Sequence, residues 1–269
     1  MRKLWILGIL CAFFLSAIGT AHAADVALFA NTAYVGYSPG ASGDEASNVE
    51  ATLISQGHTV TTFTGITATD FNNAVAGQDV LAIPELENGD LNTDLDAAAR
   101  TAIADFVNSG GVFIGFYPEP DSLSLVNDIF GFSLSAGAND NPYALNAAGA
   151  AGTPFEGGPA SIPYNNATTD ISGGSLPPST NIIYNSGTNV AVFMAPYGSG
   201  WVIFLGWDWF NAAPGGPNDE GWLDVLDSAV NVSSQQTAIP TVNEWGMIIF
   251  TFLLAGSALW IMRRKSMAS

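Results

Sequence analysis

The feature that most constrains the fold is a regular alternation of short apolar segments and helical segments in the first half of the chain. Nearly continuous apolar segments match strands that are buried on both faces, as in a parallel sheet covered by helices. We predict strands at residues 25–30, 58–64, 79–84 and 112–117, and helices at residues 44–56, 67–76, 93–108 and 122–130. This order predicts an α/β fold with a mostly parallel sheet and helices on both faces.

The pattern changes in the second half of the chain. Residues 132–180 are rich in Gly, Ala, Pro and Asn and show weak periodicity, so we predict an irregular insertion there. Strands are predicted again at residues 181–185, 191–195 and 201–207, followed by a last helix at residues 220–232. The last two strands are separated by a short turn containing Gly and Ser, which favours a hairpin. We expect a single domain over residues 24–234.

The last hairpin carries a resemblance to a known fold. Residues 197–208 read YGSGWVIFLGWD, which is similar to the late hairpin of non-catalytic secreted relatives in the class I glutamine amidotransferase-like fold, a flavodoxin-like architecture. That family places a cysteine at the turn after the strand that matches residues 112–116. Here the turn reads FYPE, with Tyr117 after the strand. The resemblance therefore implies the fold without its nucleophile, and a body that is not an enzyme of that type.

The N-terminus has the organisation of a secretory signal peptide. Two basic residues at positions 2–3 precede an apolar segment at residues 4–18. Ala21 and Ala23 form an A-x-A cleavage site, so signal peptidase is expected to release a mature chain that begins at Ala24. An uncleaved N-terminal anchor is the alternative. The predicted signal peptide covers residues 1–23.

Removal of the signal peptide limits the chemistry that the mature chain can perform. Cys11, the one cysteine, lies in the apolar segment and leaves with it. The mature chain then has no thiol for a disulfide, a metal site or a nucleophile. His58 is the one histidine that remains. It begins a predicted strand, at the amino end of the sheet, whereas active sites gather at the carboxyl ends, so we expect a structural role.

The C-terminus is predicted to insert in a membrane. Residues 247–262 are apolar and uncharged, and as a helix they would span about 24 Å, against about 30 Å for the hydrocarbon core. Trp245 and Trp260 can lie at the two interfaces, which makes a thin transmembrane helix feasible. A basic cluster follows, formed by Arg263, Arg264 and Lys265. The positive-inside rule places this cluster in the cytoplasm and the body outside. A buried core helix is the disfavoured alternative.

The sequence directly before the apolar segment is a second recognisable motif. It follows a short linker at residues 235–238 and consists of Ile239, Pro240, Thr241, Val242, Asn243, Glu244, Trp245 and Gly246. Together with the apolar segment and the basic end, residues 239–269 resemble the IPTL-CTERM sorting signal, with Val242 in place of leucine. The resemblance implies that an exosortase-type transpeptidase cuts near the motif and transfers the body to the cell surface or matrix. An ordinary membrane anchor is the alternative.

The charge of the body excludes one class of partner and favours another. Residues 24–238 contain 23 of the 24 acidic side chains, and Arg100 is their one basic residue. Such a negative body argues against binding to nucleic acid or to anionic membrane surfaces. It is compatible with divalent cations, and also with a simple solvated acidic surface.

Several carboxylates follow predicted strands and could meet at one edge of the sheet. The candidates for a ligand or metal site are Glu85, Glu119, Asp121 and Asp208, with Glu87 and Asp219 nearby in sequence. Because the carboxyl ends of parallel strands share an edge, these side chains could hold calcium or act as an acid–base pair. They could equally serve as loop and helix-cap residues.

Two further segments have competing interpretations. Residues 88–96 alternate oxygen-bearing side chains, as a calcium loop does, but an Asp-rich helix start explains them better, with Thr93 as the N-cap. Late aromatic residues near Asp208 could stack on sugars, although burial in the core is favoured. They are Trp201, Trp207, Trp209, Phe210 and Trp222.

Three functions are consistent with these features. We expect a secreted, exosortase-sorted surface or matrix protein whose non-catalytic α/β body binds a ligand, with calcium or a surface polysaccharide as the candidates. A secreted hydrolase that acts on glycans through paired carboxylates is the alternative. A plain membrane-tethered periplasmic domain is the third.

Overall fold

A computed structural model describes residues 23–40, 43–117, 120–165, 167–210, 220–233 and 251–252. The chain divides into two compact units, Met1–Ser233 and Ser234–Ser269. In the second unit only residues 251–252 are described, and both are helical. The predicted signal peptide up to residue 22, the linker, the sorting motif and the rest of the apolar segment lie outside the described residues. Within the part that is described, no helix is both long enough and apolar enough to cross a bilayer.

The first unit contains a ten-stranded mixed sheet. Its strands are β1 (Asp25–Phe29), β2 (Thr59–Phe63), β3 (Val80–Ile83), β4 (Val112–Phe116), β5 (Tyr143–Leu145), β6 (Ser161–Ile162), β7 (Ile171–Ser172), β8 (Asn181–Ser186), β9 (Asn189–Tyr197) and β10 (Gly200–Leu205). The order across the sheet is β2-β1-β3-β4-β10-β9-β8-β5-β6, and β7 pairs with β9. The first five strands in this order are parallel to one another, and the remaining pairs are antiparallel. The α/β class is confirmed.

Helices cover both faces of this sheet. They are α1 (Glu45–Ser55), α2 (Ala68–Ala74), α3 (Leu91–Asp94), α4 (Ala97–Asn108), α5 (Pro120–Phe130), α6 (Ala147–Ala150) and α7 (Trp222–Val230). Alternate residues of β1 point to opposite faces, so Leu28 joins one buried cluster and Phe29 the other. The first cluster includes apolar side chains of α1 and α7, and the second those of α2, α4 and α5. Burial on both faces explains why the parallel strands are apolar throughout.

The helix starts in the Asp-rich segment depend on carboxylate caps. Asp90 Oδ1 accepts a hydrogen bond from the backbone N–H of Thr93 at 3.2 Å, and Asp96 Oδ1 accepts one from Ala99 at 2.7 Å. The prediction that Thr93 caps the long helix was wrong, because Thr93 lies inside the short helix α3 and Asp96 is the N-cap of α4. These two contacts give the Asp side chains a capping role, as the helix-start interpretation expects.

The region that we predicted to be an irregular insertion contains three short strands. Strands β5, β6 and β7 are two or three residues long and lie within residues 132–180. The first two extend the sheet beyond β8, and β7 pairs with β9. Segments this short carry no readable alternation, so their pairing depends on neighbouring strands and not on their own sequence.

Candidate functional site

Three carboxylates meet at the carboxyl edge of the parallel strands. Glu45 is the first residue of α1, which follows β1, while Glu85 comes shortly after β3 and Asp208 shortly after β10. One carboxylate oxygen of each side chain lies within 4.8 Å of the others. The topology brings them together because parallel strands present their carboxyl ends at the same edge. We call Glu45, Glu85 and Asp208 the carboxylate cluster.

A glycine in the loop after β1 lets the backbone approach this cluster. A Cβ atom at Gly36 would collide with carboxylate oxygens of Glu45 and of Glu87, which places Glu87 beside the cluster. The carbonyl of Gly36 also accepts a hydrogen bond from the N–H of Ala46 at 3.0 Å, which ties this loop to the first turn of α1. A side chain at Gly36 would therefore have to displace these carboxylates.

Burial changes the protonation of two cluster members. Glu45 is only 3% exposed, and its Oε2 atom has no hydrogen-bond partner among the described residues. Desolvation, reinforced by the charges of Glu87 and Asp208, raises the pKa of Glu45 to about 8. Desolvation, reinforced by Glu87, raises the pKa of Asp208 to about 6. With no cation bound, Glu45 is thus mainly protonated at neutral pH while Asp208 is mainly ionised.

The segment that carries Asp208 is held rigidly from both sides. Trp207 and Trp209 are each 1% exposed, and their rings meet edge to face with centroids 4.9 Å apart. The side-chain amide of Asn48 donates a hydrogen bond to the carbonyl of Trp209 at 2.8 Å. Asp208 Oδ1 accepts a hydrogen bond from the N–H of Phe210 at 2.7 Å. The aspartate is therefore positioned by buried neighbours, with a small entropic cost of ordering on binding.

The late tryptophans are core residues. Trp207, Trp209 and Trp222 are buried, and the rings of Trp207 and Trp222 stack in parallel with centroids 6.0 Å apart. Of the other two aromatic residues, Trp201 is partly buried and packs against the first cluster, and Phe210 is 44% exposed. Burial leaves the three indole faces unavailable for stacking on a sugar.

The other sequence candidates have different positions. Asp121 lies in the first turn of α5 and is not a member of the carboxylate cluster. Glu119 and Asp219 lie outside the described residues. Glu45 was not among the candidates predicted from the sequence. Its position at the start of the helix after β1 was the available signal, since a helix that follows a parallel strand begins at the carboxyl edge.

The turn after β4 has an unusual backbone. Tyr117 has φ = 45°, in the left-handed region, and its N–H donates a hydrogen bond to the carbonyl of Leu205 at 2.8 Å. This is the turn at which the fold that the sequence resembles carries a cysteine. A tyrosine in that conformation costs about 1 kcal/mol or more, so the neighbouring strand must hold the turn in place.

His58 lies at the opposite end of the sheet. Its Nδ1 accepts a hydrogen bond from the backbone N–H of Ala24 at 3.1 Å, and its Nε2 lies 3.0 Å from Asp227 Oδ1. Ala24 and His58 precede β1 and β2, so the pair marks the amino end of these strands. His58 is therefore separate from the carboxylate cluster.

Comparisons with known proteins support the resemblance of the C-terminal tail to the IPTL-CTERM motif and the α/β fold of the body. A family model of the IPTL-CTERM motif matches residues 237–264. No curated protein matches the chain. A solved structure of a putative GMP synthase subunit from Thermoplasma acidophilum is 12% identical, with a TM-score of 0.50, and the match covers 81% of this chain and 98% of that chain.

Two other solved structures are similar to this chain. A cytoplasmic protein from Salmonella typhimurium LT2 is 13% identical, with a TM-score of 0.50, and the match covers 78% of this chain and 98% of that one. A β-galactosidase from Bacillus circulans sp. alkalophilus is 11% identical, with a TM-score of 0.47, over 80% of this chain and 31% of that one. At these identities a likeness shows the fold alone, and the last one carries no inference about activity.

Proposed function

We propose that this chain is an exported protein whose C-terminal tail is processed by an exosortase-type transpeptidase and whose body is delivered to the cell surface or the extracellular matrix. The observation that carries this proposal is the IPTL-CTERM match over residues 237–264. That range includes the motif, the apolar segment and the first two basic residues after it. Signal peptidase provides the mature N-terminus, and the basic end keeps the tail anchored until cleavage.

The motif has properties that a transpeptidase needs in its substrate. Pro240 has no backbone donor and disfavours helix at the residue before it, which favours an extended substrate segment at this point of the sequence. Trp245 can anchor at the headgroup level and fix the depth at which the motif is presented. An extended segment at a fixed depth can reach a membrane-embedded nucleophile.

A variant in the motif tests this step. Pro240→Ala is expected to leave the tail on the body and the protein in the membrane fraction, whereas wild-type protein loses the tail and leaves that fraction. Gln236→Ala, in the linker, is the matched control and should be processed normally. A C-terminal epitope tag followed on immunoblots reports the tail. Retention of the tag by wild-type protein in its native cells would instead support a plain membrane-tethered periplasmic domain.

We further propose that the body is a ligand-binding domain whose carboxylate cluster takes a divalent cation, with calcium as the best match. Calcium binds oxygen ligands at about 2.3–2.6 Å, so two ligands on opposite sides of one ion lie up to about 5 Å apart. The mutual 4.8 Å limit of the cluster oxygens fits that range. The buried Oε2 of Glu45, which has no hydrogen-bond partner among the described residues, would gain a ligand bond. A cation would also offset the repulsion among the carboxylates.

Calorimetric titration of the mature chain with calcium chloride tests the site. We expect one site per chain, with an affinity at least tenfold lower in Glu45→Gln. Asp105→Asn also replaces a carboxyl group by an amide, at an exposed position of α4, and should bind as wild type does. Identical titrations of wild type and Glu45→Gln would argue against this cluster.

The same geometry supports a second candidate function. Two carboxyl groups with separated pKa values, about 8 for Glu45 and about 6 for Asp208, resemble an acid and its ionised partner in a retaining glycosidase. Glycan hydrolysis is therefore the alternative function. Release of reducing ends from surface polysaccharide, lost in Asp208→Asn and kept in Asp105→Asn, would favour it. If no reducing ends are released, glycan hydrolysis is ruled out, and the polysaccharide is left as a candidate binding partner or acceptor.

A further inference from the structure

The first buried backbone nitrogen of the domain lies at the predicted cleavage site. Ala23 is exposed, whereas Ala24 is fully buried, with 0% of its surface accessible. The nitrogen of Ala24 donates to His58 Nδ1 at 3.1 Å. The carbonyl of Ala24 accepts from the N–H of Thr59 at 3.0 Å, which starts the pairing of β1 with β2. The residue that becomes the N-terminus after cleavage is thus already fixed in the core.

His58, which accepts the hydrogen bond from this nitrogen, also contacts the carboxylate of Asp227. Because Nδ1 of His58 accepts from Ala24, the ring proton lies on Nε2, which faces Asp227 Oδ1 at 3.0 Å. The imidazole is buried, while the side chain of Asp227, on helix α7, is 43% exposed. The backbone nitrogen of Ala24, the imidazole of His58 and the carboxylate of Asp227 therefore form a hydrogen-bonded chain from the start of β1 to the surface of α7.

We propose that His58 and Asp227 form a binding site for the α-ammonium group that signal peptidase creates at Ala24. Hydrolysis of the Ala23–Ala24 peptide bond adds one water, leaving a carboxylate on Ala23 and an ammonium on Ala24. The donor to His58 Nδ1 then changes from a neutral amide to a charged ammonium. Asp227 stabilises this charge through its contact with the other side of the imidazole. The inference rests on cleavage at Ala23, which belongs to the proposed export of the chain.

The surroundings favour a cation at this position. Asp79 Oδ2 accepts from the N–H of Asp25 at 3.0 Å, so a second carboxylate lies one residue away from the new terminus. Among the described residues the one Lys or Arg is Arg100, whose guanidinium donates to the carbonyl of Asn92 in α3. No described lysine or arginine side chain therefore competes for the acidic groups at the amino end of the strands.

Cleavage would then stabilise the fold by completing this site. Before cleavage, the amide of Ala24 makes a neutral hydrogen bond to His58. After cleavage the same contact is charged, and a hydrogen bond to a charged group is roughly twice as strong as a neutral one. The exported chain thus reaches its full stability only after the signal peptide has been removed.

Amine labelling measures the site directly. The chain from Ala24 to Ser269 has two amines, the α-amine of Ala24 and the side chain of Lys265. An exposed α-amine is acylated readily near neutral pH because its pKa of about 8 is well below that of lysine. We expect acylation of Ala24 in folded mature chain, Ala24 through Ser269 in detergent, to be at least tenfold slower than in concentrated urea. Asp227→Asn should accelerate it, whereas Asp224→Asn, one turn away on α7, should not.

A stability comparison supplies the second measurement. N-acetylated Ala24 keeps the neutral N–H donor and so imitates the precursor. We expect its unfolding equilibrium constant to be about tenfold larger than that of the free amine, and this difference to disappear in Asp227→Asn. Equal acylation rates in native buffer and urea, or equal stability of the two wild-type forms, would overturn the proposal.

The two steps of the inference can fail separately. The Ala24 chain is released from a fusion by a protease that leaves no residue behind, so it tests the amine site without relying on export. A native chain that starts elsewhere would refute the cleavage position and, with it, the proposed role of the site. Failure of the labelling test would leave the proposed sorting of the tail unaffected.

Discussion

Replacing Glu45 by glutamine is expected to stabilise the calcium-free protein at alkaline pH. The side chain is buried, and its pKa rises from an ordinary value of 4.5 to about 8 in the fold. Between these values the unfolded chain releases the proton while the folded chain keeps it. Folding therefore binds a proton, and the free energy of unfolding falls as the pH rises from 4.5 to 8.

The size of this effect follows from the shift. Each pKa unit corresponds to about 1.4 kcal/mol, so the shift sets an upper limit of about 5 kcal/mol. Glu87 is exposed beside Glu45, and water near it screens the site, so we expect about 2–4 kcal/mol. Glutamine has nearly the same shape and does not titrate. The stability of Glu45→Gln should therefore fall less than that of wild type over this pH range, with only the loss due to the raised pKa of Asp208 remaining. The variant should exceed wild type by about 2–4 kcal/mol at pH 8.

Urea unfolding followed by tryptophan fluorescence measures the difference, since Trp207 and Trp209 flank Asp208 in the core. The measurement is made with a calcium chelator at several pH values between 5 and 8. Asp105→Asn serves as the control and should follow wild type. A Glu45→Gln variant that is less stable than wild type at pH 8, or a wild type whose stability does not change with pH, would contradict a raised pKa of Glu45 in the folded protein.

Three other substitutions test the surroundings of the site and one helix cap. Gly36→Ala should destabilise the protein by about 1–3 kcal/mol and weaken calcium binding, because the new Cβ meets the oxygens of Glu45 and Glu87; unchanged urea and calcium titrations would contradict this. Asn48→Ala should cost about 1–3 kcal/mol in urea unfolding, because it leaves the carbonyl of Trp209 without its donor; a loss near zero would mean that another donor replaces it. Asp96→Ala should cost about 1 kcal/mol by removing the cap on Ala99, with calcium binding unchanged; altered binding would contradict a purely capping role.

The parallel half of the fold was predictable because its signals are local. Segments such as Val80–Ile83 and Val112–Phe116 are apolar throughout, and this composition identifies strands that helices cover on both faces. The strands within residues 132–180 were not predictable, since β6 and β7 have two residues each and pair only because longer neighbours offer edges.

The candidate site was predictable in part. Glu85 and Asp208 follow strands, and the shared edge of parallel strands was sufficient to bring them together. Glu45 was missed because a glutamate in the first turn of a helix usually serves the helix dipole and faces water. Its burial depends on the loop around Gly36, a tertiary contact that sequence periodicity does not encode.

We propose that the chain is exported, trimmed at both ends and released from the membrane. The intact mass of the protein isolated from its native cells reports all three steps together. We predict a chain that begins at Ala24 and ends within or beside residues 239–246, with or without an attached acceptor. A mass that corresponds to Ala24 through Ser269 would show that the tail is a permanent anchor, and would contradict the proposed sorting.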